Sequence, residues 1–182
     1  METTKWVIDP IHSSLGFKIK HLMISNVSGS LKNFQAEVET LEKDFSTAQI
    51  NLTAEMESIT TNNEQRDAHL RNADFFEVEK FPELKFKSTK IEKTDSDTYD
   101  LYGGLTLKGI AKPVKLRVEF NGAVKDPWGG ERAGFVITGE INRSEWGISF
   151  NGVLETGGVV LGEVVKIHSE IELVKQAVSA AA

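Results

Sequence analysis

The 182-residue chain contains no cysteine. Disulfides, thiolate metal sites and a cysteine nucleophile are therefore excluded. Redox compartment stays open, because such a chain suits either side of a membrane. No apolar run approaches the length of a membrane span. The start, Met1 to Pro10, has no hydrophobic stretch of signal-peptide length. As written, a cytoplasmic protein is expected, or a periplasmic one if a leader has been removed. Positive charge is also in deficit: the formal net charge is −6. Nucleic acid is not an expected partner, since phosphate binding needs a basic surface. No repeat and no low-complexity tract is present.

The length suits a single domain, 1–176, with 177–182 as a disordered tail. Charge is unevenly spread. Eleven acidic residues stand against three basic ones from Glu37 to Glu79, and ten basic against six acidic from Lys80 to Lys125. A solvated surface with two faces accounts for this.

Period-two alternation dominates. Leu15, Phe17, Ile19 and His21 share one face. Val27, Gly29 and Leu31 follow, then a change of phase to Phe34, Ala36 and Val38. The cleanest set is Ala48, Ile50, Leu52, Ala54 and Met56. Further sets run through Leu84–Phe86, Tyr99–Leu107, Val114–Phe120, Phe135–Ile141 and Val165–Leu173. Turn residues separate them: Leu41–Ser46, Asp95–Asp97, Lys108–Pro113 and Asp126–Gly130. About eight antiparallel strands are expected. Their apolar faces must meet, in a sandwich or in a sheet closed on itself, and closure also removes the edges. An eight-stranded barrel is filled by side chains or holds one small ligand. Gly16, Gly29, Ala36, Ala48, Ala54, Gly103 and Gly139 are small residues that could leave a channel open or let strands bend. The stretch Gly157–Gly162 reads as a loop.

One segment, around 62–78, is helical. Thr61 or Asn62 can cap it, with Glu64 or Gln65 at capping-box spacing. Arg66, His69 and Leu70 fall on one face, and Phe75 and Phe76 follow. A lone helix beside a closed sheet is placed to cover an opening.

Signals for chemistry are weak. His12, His21, His69 and His168 show no helical metal spacing, and a metal site built from His12, His21 and His69 has no ligand spacing to support it. There is no Gly-x-Ser-x-Gly elbow. Glu37, Glu55, Glu119, Glu140, Glu170 and Glu172 lie on the polar phase of the strands, which argues against an interior carboxylate pair. No catalytic residue, metal ligand or cofactor is assigned. What remains is a hydrocarbon lining, suited to a long apolar chain with polar groups orienting a head group at the mouth.

Five stretches share an order and spacing. They are Trp6–Ser13, Phe17–Leu22, Arg66–Phe76 with Phe81-Pro82, Gly104–Gly109 continuing to Pro113-Val114, and Ile141–Ile148 before Gly162–Val165. Together they make the chain resemble the YceI-like family of bacterial proteins, from Trp6 to about Leu173. The resemblance implies an all-β, lipocalin-like barrel of eight antiparallel strands with a helical insertion. It also implies that the lumen binds a polyisoprenoid, an isoprenoid quinone or a similar amphiphile. Phe17, Ile19, Phe34, Leu52, Phe86, Leu107, Phe120, Phe135 and Ile137 would line the site. His12, His21, Arg66, His69 and Arg143 would meet the head group or tie the helix and the N-terminal turn to the barrel. Asp9 or Asp74 paired with Arg66 or Arg143 would be such a tie. An amphiphilic small molecule is thus the expected partner, with a homodimer as one assembly state. Two other readings compete. One is an enzyme acting on a lipid through His12, His21 or His69. The other is a stress-related interaction module with a solid core.

Overall fold

The alternation becomes eleven strand segments, one α-helix and two 3-10 turns in a computed structural model, which describes residues 2–152, 154 and 158–177. The segments are β1 (Thr3–Ile8), β2 (Ser14–His21), β3 (Ser25–Leu31), β4 (Phe34–Leu41), β5 (Asp44–Glu55) and β6 (Ile59–Thr60). After α1 (Glu64–Arg71) come β7 (Glu83–Lys93), β8 (Thr98–Leu107), β9 (Ile110–Lys125), β10 (Glu131–Asn142) and β11 (Leu161–Lys175). The strands pair antiparallel in the order β1-β4-β5-β7-β8-β9-β10-β11, and β11 pairs back to β1. This is a closed eight-stranded barrel with one short helix. The expected tail lies almost wholly outside the described residues.

The remaining three segments are continuations of barrel strands. One edge of β11 pairs with β2 through Leu161–Glu170, then with β1 through Leu173–Lys175. So β1 and β2 behave as one strand interrupted at 9–13. The β3–β4 break at Lys32-Asn33 faces the β5–β6 break at Met56–Ser58. There the Ser58 hydroxyl accepts from the backbone N–H of Lys32 (3.1 Å) and of Asn33 (3.0 Å). Facing breaks let two strands bend together without leaving buried backbone groups unpaired.

Four local expectations need correction. Thr3–Ile8 is a strand, although clear alternation begins only at Leu15; Trp6 and Ile8 supply its inward face, 1% and 7% exposed. The link Lys108–Pro113 is a two-residue turn. Leu107 pairs with Ile110, and Lys108 and Gly109 both take positive φ, so Pro113 lies inside β9. Gly157 falls outside the described residues, while Leu161 and Gly162 already belong to β11. The helix cap is Asn63, whose Oδ1 accepts from Arg66 N at 2.9 Å, not Thr61 or Asn62. Asn62 is left-handed (φ 61) and turns the chain, and the Thr61 hydroxyl is taken by Asp67 and Arg66.

Two packed clusters fill the ends of the barrel. One gathers Trp6, Ile8, Val38, Phe45, Tyr99, Phe135 and Leu173. The other gathers Met56, Ile59, Phe75, Val78, Phe86, Leu101, Leu105, Leu107, Trp146 and Ile148. The glycines do not open a channel between them. A Cβ at Gly29 would strike the Phe17 ring, one at Gly139 would sit 2.5 Å from Leu116 Cδ2, and one at Gly103 would sit 2.5 Å from the Phe86 ring. Each glycine is a recess into which a neighbouring side chain has settled.

At Gly103 the added carbon would also lie 2.5 Å from the Lys87 carbonyl, which is backbone and cannot move aside, whereas at Gly104 it meets nothing within 4 Å. Gly103→Ala is expected to destabilise by about 1–3 kcal/mol, while Gly104→Ala stays within about 0.5 kcal/mol of the parent. Urea unfolding of the two variants checks this.

Candidate functional site

Alternation gives each barrel strand one inward face, and the two end clusters bury only part of it. Leu15, Phe34, Ile50, Leu52, Ile91 and Val118 touch both clusters yet stay only half-buried. Phe17, Ile19, Leu116, Ile137, Ile141 and Ile167 are inward-phase residues in the same condition. In a solid core such residues would be buried, as Phe86 and Leu101 are. The middle of the barrel is therefore walled by hydrocarbon that keeps accessible surface.

Six of the nine expected lining residues, Phe17, Ile19, Phe34, Leu52, Phe120 and Ile137, keep accessible surface there. Phe86, Leu107 and Phe135 are 8%, 6% and 8% exposed and belong to the packed ends. Phe135 is locked edge-on to Phe45 at 4.9 Å and stacks near Phe120 at 5.2 Å. The lumen also takes in Leu15, Leu116, Val118 and Ile167, which the alternation had placed on the right face.

The helix covers one end through polar ties more than through an apolar face. Asp67 is buried and accepts from Thr61 N (2.8 Å) and the Thr61 hydroxyl. Burial pushes the Asp67 carboxyl up, but those hydrogen bonds outweigh it and hold it below the ordinary value. Arg66 donates to Thr61 Oγ1 (2.7 Å) and Thr61 O (2.8 Å), and Arg71 donates to the carbonyls of Glu57 and Ile59. In the last turn of the helix, His69 bonds Asp74 (2.8 Å) and stands edge-on to Phe75 and Phe150. Phe150 comes from the segment after the Arg143–Trp146 turn, so this cluster clasps helix to loop.

Arg143 is 3% exposed. Its guanidinium donates to the carbonyls of Gly162, Ile148 and Phe150, each at 2.9 Å, and lies 3.8 Å from Glu163. Burial lowers its pKa and Glu163 offsets this. Arg66 and Arg143 thus hold backbone, and His21 ends β2. His12 lies outside at the β1–β2 kink, its side chain 64% exposed.

That kink carries a network that spacing did not reveal. Arg132 Nη1 donates to Asp9 (2.7 Å) and Glu172 (3.3 Å), and its Nε donates to Asp126 (3.0 Å). His12 Nδ1 lies 2.8 Å from Asp9 and 3.3 Å from Glu172. The expected ties pair differently: Asp9 takes Arg132, not Arg66 or Arg143, and Asp74 takes His69. Arg132 sits on the outward phase of β10, where a sequence reading has no cue to its partners. Asp9, His12 and Glu172 are a grouping with metal-ligand chemistry, but the Arg132 cation already lies between the two carboxylates. His21 and His69 are not part of it.

On the outer surface, a concavity of about 780 Å³ crosses β8, β9, β10, β11, β2 and β3. Its lining is mostly outward-phase: Lys18, Lys115, Arg117, Glu140, Lys166 and His168 among others. The lining also includes Phe17, Leu116 and Ile167 of the hydrocarbon wall.

The YceI-like domain profile matches residues 6–173. A UPF0312 protein of Staphylococcus aureus (strain USA300) is 43% identical over 170 residues, covering 93% of this chain and 96% of its own. The crystal structure of a Campylobacter jejuni YCEI protein is 32% identical with a TM-score of 0.77, covering 88% and 91% of the two chains. A Saccharophagus degradans structure described as a polyisoprenoid binding domain shares the fold at a TM-score of 0.64, with 11% identity and coverage of 92% and 97%.

The kink network predicts a pH dependence. Hydrogen bonding to Asp9 raises the His12 pKa above 6.5, while His12 first, and Arg132 with it, hold Asp9 well below the usual carboxylate range. A raised folded-state pKa gives stability that is complete below pH 6.5 and lost as pH rises through the raised value. The lowered Asp9 pKa gives stability present above 3.8 and lost only in strong acid. The stability gap between parent and His12→Ala should therefore be widest below pH 6.5 and shrink as pH rises through the raised His12 value. Denaturant midpoints across pH measure it; a gap that widens with rising pH would contradict the pairing.

Proposed function

The chain belongs to the YceI-like domain family, and from that premise we propose that it binds, stores or carries a long-chain amphiphile in the barrel lumen. The carrying observation is the accessible hydrocarbon between the two packed ends. Apolar burial contributes about 0.8 kcal/mol per CH2, so a chain threaded along the lumen gains affinity with each unit enclosed. The Saccharophagus degradans domain supports a polyisoprenoid; an isoprenoid quinone or fatty-acid derivative would offer the same long apolar chain. Phe17, Ile19, Phe34, Leu52, Phe120 and Ile137 would contact the chain. His69 and the Phe75–Phe150 clasp would lie near its head group.

Binding without turnover fits the arrangement. His12 is spent on Asp9 and Glu172 outside the barrel, His69 on Asp74, and neither faces the middle of the lumen. A solid-core interaction module does not fit the half-buried inner residues.

Protein purified from its own host should release an isoprenoid or fatty species on organic extraction, and prenyl compounds should raise the melting temperature of stripped protein. Leu52→Trp and Ile137→Trp narrow the lumen and should lower captured mass roughly tenfold or more while circular dichroism stays unchanged. Full capture by both variants, or a melting temperature that no amphiphile moves, would sink the proposal.

A further inference from the structure

The turn between β2 and β3 exposes three consecutive apolar residues: Leu22 at 36%, Met23 at 53% and Ile24 at 86%. It is not a loose loop. Leu22 and Met23 hold left-handed backbone (φ 52 and 65), which is strained for residues with a β-carbon. Leu22 N bonds Val160 O at 2.8 Å, and Ile24 N bonds His21 O at 3.2 Å. The strained turn is pinned and presents hydrocarbon to solvent. Val164, 45% exposed, lies beside it, because Gly162 packs on Lys20 and Leu161 pairs with His21.

Cations stand directly behind this tip. Lys20 precedes it, and Lys18 pairs in register with Lys166 on one side and Ser28 on the other. The row continues over Glu140 to Lys115 and Arg117. Lys115 is answered by Asp100 at 3.5 Å, whereas among the described residues no ion pair engages Lys18, Lys20 or Lys166. On the β3 side the outward residues are Asn26, Ser28 and Ser30. A chain of net charge −6 has thus gathered unpaired positive charge next to its apolar tip. Of the nearby acids, Glu140 stands opposite Lys166 in register and Glu163 lies 3.8 Å from Arg143; Glu64, Asp74, Glu77 and Glu79 lie between β6 and β7.

We propose that the β2–β3 tip docks on an anionic phospholipid surface, with Leu22, Met23 and Ile24 entering the headgroup–acyl boundary and Lys18, Lys20 and Lys166 facing lipid phosphates. Hydrocarbon to insert beside cations to meet phosphate is the combination that interfacial binding requires. An acidic protein partner would use the cations and leave Ile24 unexplained. The tip lies away from the β1–β11 closure, on the side that the helix covers, so the surface names where an amphiphile bound as proposed above would be exchanged.

Sedimentation of amphiphile-stripped protein with phosphatidylglycerol-containing vesicles, against pure phosphatidylcholine, tests it. Binding is expected to the anionic vesicles only and to weaken with added salt. Lys18→Glu with Lys20→Glu should lower partitioning roughly fivefold or more per charge, and Ile24→Ser roughly tenfold. Trp128→Ser, 83% exposed at the other end of the barrel, should leave it unchanged. Because the chain has no cysteine, Ile24→Cys carrying an environment-sensitive dye gives a second readout, a blue shift on anionic vesicles. Absence of that shift, equal binding to neutral vesicles, binding that survives Ile24→Ser, or a tip-dependent dimer without vesicles would overturn the proposal. Vesicle binding by protein that never yields an extractable amphiphile would sink the lumen reading and leave the surface standing.

Discussion

The structure depends on one shared strand edge. Along one side of β11, residues 161–170 serve β2 and residues 173–175 serve β1. Closing the sheet needs β1 at that position, since without it β4 and β11 would both present unpaired backbone. Letting β2 take the rest of the edge carries the barrel wall past the closed ring toward the helix. The interruption between β1 and β2 must then be held, and Arg132 holds it by binding Asp9 and Glu172 across the kink while reaching Asp126 on the next turn.

That geometry divides the interior. Aromatic side chains fill the ring-closed end, where Trp6, Phe45, Phe120 and Phe135 lie 4.9–5.5 Å apart in a chain of contacts. Trp146, Phe75 and the helix fill the other. Between them the wall is built mainly of Leu, Ile and Val, joined by Phe17 and Phe34. The polar groups that resemble a site are consumed by structure: Arg66 by Thr61, Arg143 by three carbonyls, His69 by Asp74. They orient the cover of the lumen and the loop beside it.

Much of this was legible in the chain. The strand phase identified nearly every inward residue, and the breaks at Lys32-Asn33 and at the helix appeared as changes of period. The closing strand was harder. Thr3–Ile8 is short, and Thr3 and Lys5 give it little alternation beyond Trp6 and Ile8. The partners of the charged groups were not legible, because Asp9 and Arg132 are 123 residues apart and outward positions carry no periodic constraint.

By itself, the sequence determined an antiparallel β architecture with one apolar face per strand, an inner face almost purely of hydrocarbon and the absence of thiol chemistry. These follow from side-chain period and composition, which are local. Only the tertiary structure decided which inner residues stay accessible, which arginine holds the kink, and that the glycine recesses are filled by Phe17, Phe86 and Leu116. It also decided that Lys18 and Lys166 meet behind an apolar tip. Those outcomes depend on register between distant strands, and register is set by how the whole sheet closes.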